Sequence, residues 1–256
     1  MMKADIHVHT SDSACSSMSL VDAVAAALSH DIRVIAVCNH DSTLQDTHFG
    51  SIEKALSVRI NPPARCENEF YIIPGIELST KYGHILGLFV NKDIQIDKND
   101  PLRSIHNVGG LAILAHPFEQ TTAFEKRELA LSELLTKIDL IEAASARANY
   151  KNRNANNQAL KLAEKYGIRT SAGSDAHFPK ELGAAYMEID DGFQSLDELK
   201  DRIRNPLKLH CKNSKRTYIA KSQFVKNKKK KKFKCKTVLF YLYCLMRDMG
   251  DKLCRK

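Results

Sequence analysis

Residues 4–9 read Ala4-Asp5-Ile6-His7-Val8-His9, a short run with the look of a β-strand that ends in two histidines. Side chains two apart on a strand project to the same face, so His7 and His9 point the same way. Outward from this stretch, short apolar runs alternate with helical patterns. Ser19 stands as an N-cap before Leu20, Val21, Val24, Ala25 and Leu28, which share one helical face. Val34-Ile35-Ala36-Val37 has the continuous apolar character of a buried strand. Tyr71-Ile72-Ile73, Ile85 to Val90 after a glycine turn, and Leu111 to Ala115 after Gly109-Gly110 read the same way. Leu140-Ile141 follows a helical pattern around Leu129 to Leu135. A longer helix over Asn154 to Tyr166 ends at Gly167, a residue suited to the left-handed C-cap. Arg169-Thr170-Ser171 is then a strand, and Ser195 caps a closing helix over Leu196 to Arg204.

Repeated strand–helix units predict an α/β fold with a parallel sheet, and seven or eight units in one domain predict a TIM-like barrel. Such barrels carry their sites where the strands end. The polar residues follow that rule: His7 and His9, Asn39-His40-Asp41, Glu77, His116, and Asp175 with His177 all fall at or just after a strand end.

The chain of 256 residues is long enough for one large domain, and its 27% charged and 43% hydrophobic residues are those of an ordinary globular protein. The formal net charge of +9 is unevenly placed. Residues 212–256 hold 16 Lys/Arg against 2 Asp/Glu, leaving 23 against 28 in the rest. A mildly acidic body, 1–210, is therefore followed by a basic tail, 211–256. Lys228 to Lys232 is an unbroken lysine run, and Val238 to Met246 is apolar. The tail reads as a solvated linker plus a short helix packed on the barrel, or as a contact for nucleic acid or an anionic surface.

Seven scattered cysteines, Cys15, Cys38, Cys66, Cys211, Cys235, Cys244 and Cys254, lack any C-x-x-C, against a disulfide framework or structural zinc site. The first residues do not read as a signal peptide, and no apolar stretch approaches the roughly 18 residues of a spanning helix. The expected location is the cytoplasm.

His7-Val8-His9 can place two imidazoles on one metal. Glu77 follows an apolar strand, where a carboxylate needs a cation partner. It can bridge two metals through its two oxygens, or serve as a cap or salt-bridge residue. Read singly, His40 is more often a loop residue than a ligand, and His84 and His116 are more often structural histidines. Asp175-Ala176-His177 repeats the two-residue spacing with a carboxylate and an imidazole. The signal is the ensemble, and mixed imidazole–carboxylate ligation suits zinc, manganese or iron.

These stretches, Asp5-Ile-His-Val-His-Thr, Ala36-Val-Cys-Asn-His-Asp-Ser, Ile73-Pro-Gly-Ile-Glu-Leu-Ser, His84-Ile-Leu-Gly-Leu, Leu114-Ala-His-Pro and Ala172-Gly-Ser-Asp-Ala-His, run from residue 5 to 177. In that order they strongly resemble the PHP family, named for polymerase and histidinol phosphatase domains. The resemblance implies a distorted (β/α)7 barrel over residues 1–210, with two or three divalent metal ions, that hydrolyses phosphate esters. It implies His7, His9, His40, Glu77, His84, His116, Asp175 and His177 as ligands, Glu77 bridging. Two departures stand out. The family's further Asp or His ligand after His-x-His is represented here only by Asp12, which comes early, and Cys15 near the expected place. The usual Thr-Asp before the second-motif histidine reads Cys38-Asn39.

A metal pair can activate water and neutralise a phosphoryl group. Glu77 is then part of the catalytic centre, Asp41 and His177 are candidates for proton handling, and Arg147, Asn149, Arg153 and Lys180 are candidate phosphate contacts. The leading expectation is a phosphatase or phosphodiesterase on small phosphorylated metabolites or nucleotides. A nuclease on DNA or RNA ends, a metal-dependent amidohydrolase and a non-catalytic scaffold are the other readings.

Overall fold

The computed structural model describes residues 1–44, 49–63, 66–91, 94–97, 99–120, 123–232 and 235–253. In chain order its elements are β1 (Met2–Val8), α1 (Leu20–Ser29), β2 (Ile32–His40), α2 (Gly50–Leu56), β3 (Arg59–Ile60), β4 (Glu69–Thr80) and β5 (Gly83–Leu88). There follow α3 (Pro101–Asn107), β6 (Leu111–Leu114), α4 (Phe124–Leu135), β7 (Leu140–Ser145), α5 (Ala155–Tyr166), β8 (Arg169–Gly173) and β9 (Ala185–Ile189). The last are α6 (Leu196–Arg204), β10 (Lys208–Cys211), α7 (Arg216–Lys229) and α8 (Cys235–Leu253). Ser19 forms a capping box with Asp22, Gly167 takes the left-handed C-cap of α5, and Ser195 caps α6.

The sheet runs β10-β9-β1-β2-β4-β5-β6-β7-β8, with β3 on the side of β4. Its ends meet where Val8 bridges Ala176 and the His9 amide donates to the Ala176 carbonyl at 2.8 Å, giving a nearly closed, distorted TIM-like barrel. The buried Asp5 carboxylate reinforces the seam by accepting from the Ser174 and Gly183 amides at 2.9 and 3.1 Å. Burial pushes its carboxyl up to about 6 against the pull of those bonds.

The expected all-parallel sheet is corrected in one sector. β5 is antiparallel to both β4 and β6. Only Lys81 and Tyr82 separate β4 from β5, and a parallel crossover needs a dozen or more residues. This reversal brings the first turn of β5, with His84, to the rim where the parallel strands finish. β9 and β10, absent from the sequence reading, add antiparallel strands beside β1. The division of the chain at residue 210 falls inside β10.

One apolar cluster fills the barrel: Ala4, Ile6, Ala36, Ile113, Leu140 and Ala172 belong to it. Two more lie between strands and helices, one including Val8, Val24, Ile35 and Val37, the other Ile85, Leu114, Ile141 and Leu162. On β1 the partners step from Asp5↔Ile35 to Val8↔Val37, one residue more on β1 than on β2. This bulge changes the parity of the strand. Ile6 faces the barrel interior and Val8 the helical layer, so His7 and His9 are turned inward above the apolar plug.

The tail is docked against the barrel. The first lysines of the run lie in the last turn of α7, not in a solvated linker. Lys229 Nζ donates to the Ser11, Ser13 and Ser16 carbonyls at 2.6, 2.8 and 2.8 Å. α8 packs on α7 through Phe224 and Tyr241, and leaves Leu239, Leu242 and Met246 exposed. No helix among the described residues is long and apolar enough to cross a membrane. Cys254 lies outside the described residues.

Gly173 ends β8 where a Cβ would stand 2.4 Å from His7 Cβ and 2.7 Å from Glu142 Oε1. Neither neighbour is a free side-chain end. Gly173→Ala should lower stability in urea unfolding by about 1–3 kcal/mol or more. Gly50→Ala, with nothing within 4 Å, should not.

Candidate metal centre

Each expected ligand arrives from a different part of the barrel rim. β1 brings His7 and His9, and β2 and β4 bring His40 and Glu77, which lie opposite one another in register. His84 is the second residue of β5, and His116 and Asp175 follow β6 and β8 in left-handed conformations at φ 26° and 52°. The side chains converge. His7 Nε2 and His9 Nε2 are 3.2 Å apart, and Asp175 Oδ1 is 3.6 and 3.0 Å from them. Glu77 Oε1 lies 2.8 Å from His84 Nδ1 and 3.3 Å from His116 Nε2, while Oε2 lies 2.8 Å from His40 Nδ1 and 3.3 Å from His9 Nε2. Four overlapping three-residue groups share these side chains: His9-His40-His177, His7-His9-Asp175, His7-Glu77-His116 and His40-Glu77-His84.

The tautomers follow from the outer partners. Glu142 Oε1 accepts from His7 Nδ1 at 3.0 Å, because a carboxylate has no proton to give. Ser13 Oγ donates to Asn39 Oδ1 at 2.9 Å and so accepts from His9 Nδ1 at 3.2 Å. His177 Nδ1 donates to the Asp175 carbonyl at 2.8 Å. All three rings are left with a bare Nε2 lone pair directed into the cluster, the arrangement that outer partners impose on metal-ligating histidines. Asn39, where the family has a carboxylate, acts as a hub: its oxygen accepts from the Thr10 amide and Ser13, and its nitrogen donates to Thr10 Oγ1.

The chemistry of this donor set fits divalent cations. In their neutral forms His7 and His9 would set two bare nitrogens 3.2 Å apart, a repulsion that only a proton or a cation between them relieves, and both Glu77 oxygens are buried without a hydrogen bond of good geometry. An unpaired buried carboxylate is costly. Protons show the same demand for positive charge. Burial opposes ionisation of His7, yet Glu142, Asp175 and Glu77 carry it well above its ordinary value. Burial likewise opposes, and Glu77 overrides, at His40, which rises to about 11, and at His116, which rises to about 9. Burial holds His9 at about 4 and, with Arg147 and His9 nearby, His177 well below normal. A metal replaces such protons at a fixed site.

A cleft of about 910 Å³ opens over the cluster, with Asp12, Cys15, Asp41, Arg147, Lys151, Lys226 and Lys230 on its walls. Cys15 is buried with Sγ 3.1 Å from His177 Nε2, whereas Asp12 is exposed. Asp41 is held at the rim, its carboxylate accepting from the Ser79 amide at 3.0 Å and Ser79 Oγ at 3.2 Å. Among the expected phosphate contacts, Arg147 lines the cleft but is committed to Glu181 through Nε and Nη2 at 2.9 and 2.8 Å, with Nη2 also on Ser222. Asn149, Arg153 and Lys180 are not among the cleft residues. Asn149 instead donates to Asn213 at 3.1 Å, and Arg153 and Lys180 are exposed. The cations that face the cleft are Lys151, Lys226 and Lys230, two of them from the tail. Sequence reasoning missed Lys151, Lys226 and Glu142, and named Lys229 and Lys230 only within the run Lys228 to Lys232 as a contact for nucleic acid or an anionic surface. Glu142 left a signal, a lone charge within Leu140-Ile141-Glu142-Ala143, a strand otherwise apolar.

The PHP-associated family model matches residues 153–206. An uncharacterized protein of Methanocaldococcus jannaschii is 28% identical over 236 residues, covering 88% of this chain and 86% of its own. A two-domain protein of Bacteroides vulgatus containing a predicted PHP-like metal-dependent phosphoesterase superposes with a TM-score of 0.53 at 15% identity. That match covers 80% of this chain, which spans 62% of the Bacteroides protein. The lesion-specific endonuclease EndoQ of Pyrococcus furiosus gives 0.51 at 16% identity, covering 82% of this chain and 57% of that one. The two solved structures share the barrel fold with this chain, and the PHP-associated match lies within its second half.

Glu142→Gln leaves one oxygen for two donors, His7 Nδ1 and the His116 amide, which Oε2 accepts at 3.0 Å. Divalent metal affinity, read by competition with a chromophoric chelator, should fall about 10–100-fold.

Proposed function

We propose that this chain is a metal-dependent phosphoesterase acting on small phosphorylated metabolites or nucleotides. The observation that carries this reading is the buried Glu77 carboxylate, faced on both oxygens by imidazole nitrogens at 2.8–3.3 Å. His7, His9, His40, Glu77, His84, His116, Asp175 and His177 would hold two or three ions, with Glu77 shared between neighbours. Zinc, manganese or iron bound there supplies an activated water and neutralises charge on the phosphoryl group. The fold shared with the Bacteroides protein, which contains a predicted PHP-like metal-dependent phosphoesterase, supports this class.

The chain's own residues do the rest. Lys151, Lys226 and Lys230 attract and orient a phosphate at the open side of the cleft. Asp41, fixed by Ser79 at the rim, is placed to exchange a proton with a leaving group. His177 has Nδ1 committed to a carbonyl and Nε2 turned into the cluster, which favours a ligand role over proton transfer. Residues 1–210 are taken as the catalytic barrel, with 211–256 supplying one wall of its cleft. The six described cysteines are unpaired, which supports a reducing compartment such as the cytoplasm.

Chelation of the purified chain should abolish hydrolysis of a phosphate mono- or diester, and readdition of a divalent ion should restore it. Glu77→Gln should lower kcat/KM at least about 100-fold, since even outer partners of metal sites cost 10–100-fold. Full activity in metal-free protein, or in this variant, would overturn the reading.

A second reading, a nuclease acting on DNA or RNA ends, is favoured by the tail lysines at the cleft and by the fold shared with the Pyrococcus endonuclease. It predicts activity on oligonucleotides that falls steeply between about 50 and 200 mM salt. Hydrolysis of small phosphate esters with a flat salt profile, and none of oligonucleotides, removes it.

A further inference from the structure

We propose that Cys15 is a thiolate ligand of this centre, completing with His9, His40 and His177 a nitrogen–sulfur position that selects a thiophilic ion such as Zn²⁺ over Mn²⁺. The proposal rests on the metal-centre reading above and adds to it a donor and a metal preference.

Four observations meet at this point. Ligand nitrogens of His9, His40 and His177 lie within 4.8 Å of one another. Their rings crowd together, with centroids 4.3 Å apart for His9 and His177 and 4.7 Å for His9 and His40. Cys15 Sγ lies 3.1 Å from His177 Nε2 and is also in hydrogen-bonding contact with the His40 side chain. Its side chain is buried, so the sulfur is turned into the cluster rather than toward solvent.

A thiol hydrogen bond satisfies His177 Nε2 alone; His9 Nε2, whose Nδ1 donates to Ser13, lies 3.2 Å from His7 Nε2 and 3.0 Å from Asp175 Oδ1. A cation at the centre satisfies the nitrogens and the sulfur together. The thiol loses its proton to solvent as the sulfur–metal bond forms, with no change of oxidation state.

The loop is built to hold the sulfur there. Ser16 Oγ contacts the His9 and His177 carbonyls at 3.1 and 2.9 Å, clamping the residue after Cys15 between both ligand segments. From the tail, Lys229 caps three carbonyls of the same loop. Asp12, the oxygen donor on this loop, is exposed. Three imidazoles with one sulfur form a set that prefers zinc, whereas manganese and magnesium prefer oxygen.

The test uses the full chain, stripped of metal and reloaded with Co²⁺. The expected result is a thiolate-to-cobalt charge-transfer absorption in the near ultraviolet, lost in Cys15→Ser and kept in Cys66→Ser, which alters an exposed cysteine. The zinc-to-manganese affinity ratio, read by chelator competition, should fall about tenfold or more in Cys15→Ser. Cys15→Asp should shift the preference toward manganese while keeping the full metal load. Cobalt bound at full load without the sulfur band, or an unchanged affinity ratio in Cys15→Ser, overturns the thiolate and leaves the metal centre standing. No cobalt bound at all overturns both.

Discussion

A carboxylate sealed inside a protein and ringed by imidazoles is an electrostatic demand. Glu77 is 1% exposed, and four histidines approach its oxygens. Removing a charge from water costs far more than a lone hydrogen bond returns, so this site is stable only when positive charge shares it. In the absence of ions, protons on His7, His40 and His116 answer the demand. Divalent cations answer it at a fixed position and with chemical consequence. The rest of the molecule is arranged so that this cluster can exist.

Two departures from a regular barrel make the convergence geometrically attainable. The bulge in β1 turns His7 and His9 inward, just above the Ile6 layer, where strict alternation would have set His7 opposite Ile6. The tight connection between β4 and β5 reverses one strand, so that His84 at its start joins residues at the ends of the others. Outer partners then fix each ring. Glu142 supports His7 from β7, and the Thr10–Ser13–Asn39 network supports His9 without a carboxylate. Burial, against the pull of Asp175 and Glu77, holds the proton affinity of His9 low.

The tail belongs to the same arrangement. Its hydrogen bonds to the barrel run inward: Ser222 accepts from Arg147, and Lys229 holds the loop between Ser11 and Ser16. Lys226 and Lys230, one helical turn apart near the C-terminus of α7, present their charge to the cleft, where the helix dipole also favours cations. A basic extension thereby complements a pocket whose floor is acidic and metal-seeking.

Much of this was written in the sequence. Apolar runs of strand length, caps at Ser19, Gly167 and Ser195, and polar residues clustered after strands determined the alternation of elements and the candidate ligands, because these signals are local and depend on neighbours two to four residues away. The reversal of β5, the β1 bulge and the short strands β9 and β10 were decided by pairing between distant segments, which no local pattern encodes. The same holds for the phosphate contacts. Arg147 reads as a clamp, but Glu181, thirty-four positions away, holds it, and two of the three lysines that face the cleft, Lys226 and Lys230, sit in the tail. The sequence by itself marked the histidines and carboxylates that are candidate ligands. Only the tertiary structure decided which of them share one space, because burial and charge pairing arise from contacts across the whole chain.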